Sequence, residues 1–161
     1  MKTLSKKSGK PRTDRVNRPE TEGLARISPE QMYYMSEHWL SDMKFYEDEL
    51  GFLQNLIAKY LMWLIDDKHI EDTRIMVSKL REMDKERDQI ESRIKIHFKH
   101  IAELIENPFS HDLQSSRDEH AELEIRIAAF MKEFRVMKVK VFRHTEMIME
   151  TEKATHLLSR E

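Results

Sequence analysis

The chain has 161 residues, 36% of them charged and 39% apolar, with three Gly, four Pro and no Cys. That composition excludes disulfides, thiolate metal sites, Cys nucleophiles and Gly-rich phosphate loops, and leaves too few turn residues for an all-β fold. The net charge of −2 divides into a basic stretch over 1–27, with eight basic and three acidic residues, and an acidic remainder with twenty basic and twenty-seven acidic ones.

Residues 1–27 carry Lys, Arg, Pro, Ser and Thr without periodicity, which predicts a disordered tail. No apolar run follows its basic residues, as a secretory signal would need, and no run of 18 apolar residues occurs anywhere to span a membrane. Such a tail can meet nucleic acid or another anionic surface by counterion release, but it has no aromatic residue to stack on bases. Its plainer role is to solubilise the chain.

"SPEQ" opens the first helix: Ser28 as cap, Pro29 at the first helical position, Gln31 closing a capping box. From there Met32, Trp39, Met43, Tyr46, Leu50, Leu53, Ile57, Tyr60 and Leu64 form an apolar comb whose spacing, from Trp39 on, alternates four and three. This is a heptad seam. "DDKHIEDT" interrupts it, and the second helix resumes at Thr73, Met76, Leu80, Met83, Arg87, Ile90, Ile94, His97, Ile101 and Leu104. Asn107-Pro108 ends that helix. The third carries Leu113, Ser116, His120, Leu123, Ile127, Phe130, Phe134, Met137, Val141, His144 and Ile148. Within it "VMKVKVF" alternates like a strand, so a distortion or partner contact is expected there first.

Helices over about 28–65, 68–106 and 111–158, joined by short links, predict an all-α fold: an elongated, antiparallel up-down-up three-helix bundle of coiled-coil type over 28–161. The third helix should overhang its neighbours, leaving Met147, Met149 and Leu157 free for a partner. Folding the chain at its two turns puts Trp39, His97 and His120 in one layer, Met43, Ile94 and Leu123 in another, and Leu50, Arg87 and Phe130 in a third.

The first of these layers is the best site candidate. His97 and His120 are candidate metal ligands, with Asp42 or Glu124 to complete the set. Helical di-iron carboxylate sites, however, use Glu-x-x-His pairs, and no His here has Glu three residues before it. A polar layer in which the imidazoles find hydrogen-bond partners and fix register is the expected reading, and no cofactor is implied. Arg87 in the seam needs either an acid, for which Glu47 or Glu49 lies near the right level, or an exit to solvent along its stem, and His144 is expected to be half-exposed. No nucleophile or oxyanion constellation is recognisable, so no catalytic residue is assigned and an enzyme is not expected.

The first helix carries a second stripe beside its seam: His38, Asp42, Phe45, Glu49, Phe52, Leu56, Lys59 and Trp63. It either lets this helix touch both neighbours or forms an interaction face of Phe45, Phe52, Leu56 and Trp63, for self-association into a homodimer or for another protein.

Trp39, Asp42, Phe45, Tyr46, Asp48, Glu49 and Leu50 in "HWLSDMKFYEDELGFLQNLI", with Met43 in place of Leu, resemble the opening helix of a group of small uncharacterised bacterial helical proteins. Asn107-Pro108, His120, Leu123 and Phe130 extend the likeness. The resemblance implies a cytoplasmic helical bundle and no activity. Together these readings make the chain a non-enzymatic interaction or scaffold protein. The alternatives are a metal- or ligand-binding bundle around Trp39, His97 and His120, and a nucleic-acid-associated protein acting through its tail.

Overall fold

The computed structural model describes residues 27–62, 64 and 67–160, apart from the side chains at positions 67, 68 and 157. It consists of α1 (Pro29–Leu61), α2 (Asp67–Glu106) and α3 (Leu113–Leu158), an all-α three-helix bundle. Almost all of the expected tail falls outside the described residues, as does Trp63.

Each helix starts where its local chemistry allows. Ser28 N–H donates to Gln31 Oε1 at 2.9 Å while Gln31 N–H donates to Ser28 Oγ at 3.2 Å, which closes the capping box. Arg117 of α3 donates through Nε to the Ile27 carbonyl at 2.9 Å and holds the chain where it runs into α1. After α2, the Asn107 side chain accepts from the Phe109 N–H at 3.0 Å, forming an Asx turn, and the Asp112 carboxylate accepts from the Ser115 N–H at 2.7 Å at the head of α3. α3 is unbroken through "VMKVKVF", so the strand-like alternation there distorts nothing. α1 ends at Leu61, four residues short of the expected position; the acids at 66 and 67 suit the start of a helix and not its end.

The seams are buried almost throughout. Tyr60, Leu64, Met76 and Leu113, near helix ends, are half-buried. Ser36 and Thr145 are also buried, although both are polar. Each turns its hydroxyl onto its own helix, Ser36 donating to the Met32 carbonyl at 2.7 Å and Thr145 to that of Phe142 at 2.8 Å, so neither needs a partner elsewhere.

The three helix pairs are not alike. α1 lies closest along α2 and has the fewest close approaches to α3. Between α1 and α3 the space is filled by rings: Tyr46 meets Phe130 and Phe134 edge-on, with centroids 5.4 and 4.8 Å apart. Ion pairs mark the edges: Arg126 grips Glu86 with two bonds of 2.8 and 3.1 Å, Lys79 meets Glu133 at 2.8 Å, and Lys138 meets Glu49 at 2.6 Å. The first two tie α3 to α2, and the third ties α3 to α1.

Candidate functional site

Two features stand apart from the ordinary core: a buried histidine layer and an uncovered apolar face.

Trp39, His97 and His120 meet as one layer. The Trp39 and His120 rings stack with centroids 4.4 Å apart, and His97 Nε2 lies 3.0 Å from His120 Nδ1. Both imidazoles are fully buried. They share one hydrogen, and Glu119 indicates which ring supplies it. Its Oε2 stands 3.5 Å from His97 Nδ1, longer than a good hydrogen bond, yet a carboxylate favours N–H there over a lone pair. That makes His97 the Nδ1–H tautomer and His120 the donor to His97 Nε2. His120 Nε2 is then a buried lone pair without a donor, consistent with its lack of a hydrogen-bond partner among the described residues. Burial, and then the neighbouring His97, push His120 down to about 4. Burial also lowers His97, against the opposing pull of Glu119.

His97 Nε2 and His120 Nδ1 are occupied with each other, while His97 Nδ1 and His120 Nε2 have no hydrogen-bond partner among the described residues. Asp42 and Glu124 add no third ligand: among the described residues, no group of three His, Asp or Glu side chains gathers round a point.

Arg87 is a different kind of intruder. Its side chain is 5% exposed, between the buried Leu50 and Phe130 levels, and its partners are Asp84 (2.9 Å) and Glu91 (2.5 Å) on its own helix. The expected partners Glu47 and Glu49 do not hold it; Glu49 is taken by Lys138 and Glu47 by Lys44. Burial opposes the charge on Arg87, but the bonds to Asp84 and Glu91 outweigh it and raise its pKa. His144 is likewise not half-exposed. It is buried, with Nε2 2.7 Å from Thr73 Oγ1. Because the Thr73 hydroxyl proton goes to the His69 carbonyl at 2.7 Å, His144 is the donor in this pair.

The second stripe of α1 splits. Leu56 packs against the core, whereas Phe45 and Phe52 stand 54% and 52% exposed. On α3, Phe142 is 37% and Val139 48% exposed, and half-buried Met131 packs against the core. The Glu49–Lys138 pair fixes the edge along which α1 meets α3, so these side chains share one side of the bundle. Sequence periodicity found the α1 half of this face. The α3 half, Val139 and Phe142, falls in "VMKVKVF", where the strand-like alternation raises the expectation of a distortion or a partner contact.

Where α3 overhangs, a cavity of about 750 Å³ is lined by Leu64, His69, Ile148, Met149, Glu152 and their neighbours. Glu152 Oε1 is buried there without a hydrogen-bond partner among the described residues. Nothing in the sequence pattern announced this cavity, because it depends on the link after α1 meeting the overhang.

No protein family, curated protein or solved structure matches the chain. Among the described residues no helix is long and apolar enough to cross a membrane.

Proposed function

We propose that this protein is an interaction module, which docks another polypeptide on the side shared by α1 and α3. The observation that carries this reading is the exposure of Phe45 and Phe52 beside Phe142 and Val139, on helices whose seams are otherwise closed. Scattered exposed apolar residues are ordinary, but Phe45 and Phe52 stand one heptad apart on α1, and Phe142 and Val139 are exposed on α3 beyond the Glu49–Lys138 pair that joins the two helices. Aromatic residues in such a setting dominate binding energy at interfaces.

A photo-activatable side chain placed at 45 or 52, in the cells that make the protein, tests this. Discrete protein adducts are expected from both positions and none from Arg81, which is exposed on α2. Absence of adducts, or equal labelling from position 81, would remove the reading.

A further inference from the structure

The docking face is uneven in charge, and the unevenness selects an occupant. On α1 the acids Asp42, Asp48 and Glu49 flank Phe45 and Phe52, while Lys44 and Glu47 pair with each other toward α2; on α3 the bases Lys132, Arg135 and Lys138 flank Val139 and Phe142. These rows run side by side, because Tyr46 reaches Phe130 and Phe134 while Glu49 reaches Lys138. Neighbouring helices of opposite charge would satisfy each other if their charges met. Among the described residues only Glu49 and Lys138 do so. Asp48, Lys132 and Arg135 are exposed and form no ion pair among the described residues. One protein therefore presents an acidic strip carrying Phe45 and Phe52 next to a basic strip carrying Val139 and Phe142.

We propose that the occupant is a second copy of this chain, with α1 of each copy set against α3 of the other. This rests on the reading of the face as a docking surface and names its partner. Two-fold symmetry allows two ways of facing such surfaces. An axis parallel to the helices places α1 over the partner's α3, running in the same direction, so that rows at one level stay at one level. Acid then meets base, and the exposed Phe45 and Phe52 meet the Val139 and Phe142 side. An axis across the helices places α1 over the partner's α1 and α3 over the partner's α3, which sets acid on acid and base on base. Like charges facing each other oppose that second arrangement. The charge pattern thus picks the partner and the symmetry together.

The experiment uses the full chain. Sedimentation velocity across concentration should show a monomer–dimer equilibrium. Asp48→Lys or Arg135→Glu alone should raise the dissociation constant by about tenfold or more, and mixing the two variants should restore a heterodimer. Both positions are exposed, so unchanged helicity by circular dichroism is expected to accompany either change. Because the chain has no Cys, single-Cys variants report geometry directly. Asp48→Cys mixed with Arg135→Cys should give a disulfide-linked dimer on oxidation, while either alone should give little. Efficient crosslinking of Asp48→Cys to itself, or tighter dimers on Asp48→Lys, would overturn the arrangement. A monomer up to about 100 µM would overturn self-association itself. In that case adducts from positions 45 and 52 at some mass other than twice the chain would leave the docking surface standing with a different partner. No adducts at all would remove both.

Discussion

Arg87 and the His97–His120 pair interrupt the same seam of α2 about three turns apart, and they solve the problem of a buried polar group in opposite ways. Arg87 keeps its charge and brings its counter-ions with it, since Asp84 and Glu91 lie three residues before and four after it on the same helix. Its satisfaction does not depend on α1 or α3. The imidazoles stay neutral, and each depends on a different helix for its single bond. A self-contained charge is insensitive to how the helices meet; a shared neutral hydrogen bond reports on it, and on pH.

Acid should break this comparison most visibly. His120 is lowered from its ordinary 6.5 to about 4 in the folded chain. A base with a depressed pKa stabilises the fold fully above its unfolded value, and that stability is lost as pH falls from about 6.5 toward 4. The loss at pH 4 is about 3 kcal/mol, from roughly 1.36 kcal/mol per pH unit. Urea unfolding at pH 7 and pH 4 measures it, and the difference between the wild type and His120→Leu separates it from titrating carboxylates. A pH dependence equal in both proteins would sink the assignment.

At pH 7 the same variant should cost less, about 1–3 kcal/mol, because it leaves His97 Nε2 buried without its donor. Arg87→Ala should follow at about 1–2 kcal/mol, with little change between pH 7 and pH 5. Arg87→Met, which retains the packed stem, should fall within about 1 kcal/mol of the wild type. Denaturant midpoints rank all three, and a pH-sensitive Arg87 variant would erase the contrast with the imidazoles. Smallest of all, Phe45→Ser should shift stability by no more than about 0.5 kcal/mol while weakening association. A larger loss of stability would mean that Phe45 packs within its own chain.

The seams were readable because every helix keeps one alternation of fours and threes, so that folding at two turns brought Trp39, His97 and His120 to one level. What spacing could not give was the choice among partners for a polar residue. Asp84 and Glu91 stand three and four residues from Arg87, yet only the cross-helix acids Glu47 and Glu49 were expected to hold it. The difference lies in which acids other cations had already engaged, and that depends on Lys138 and Lys44. His144 was misjudged for a related reason: its nearness to a turn suggested exposure, but Thr73 on the first turns of α2 covers it. Ser36 fits the alternation between Met32 and Trp39 but was passed over, and Thr145 escaped notice because it lies one residue past the seam position at His144. The second stripe of α1 was legible as a width of apolar surface, but periodicity does not say what covers it.

The rings between α1 and α3 also bear on the order in which the bundle assembles. Tyr46 and Phe130 lie 84 residues apart, while each hairpin, α1 with α2 or α2 with α3, closes across a short link. Closing the larger loop costs more chain entropy before any contact offsets it, so a hairpin is expected to form first and the Tyr46–Phe130–Phe134 cluster last. Truncating Phe130 should therefore accelerate unfolding far more than it slows folding. A nascent chain would hold the side bearing Phe45 and Phe52 unfinished until α3 had been made.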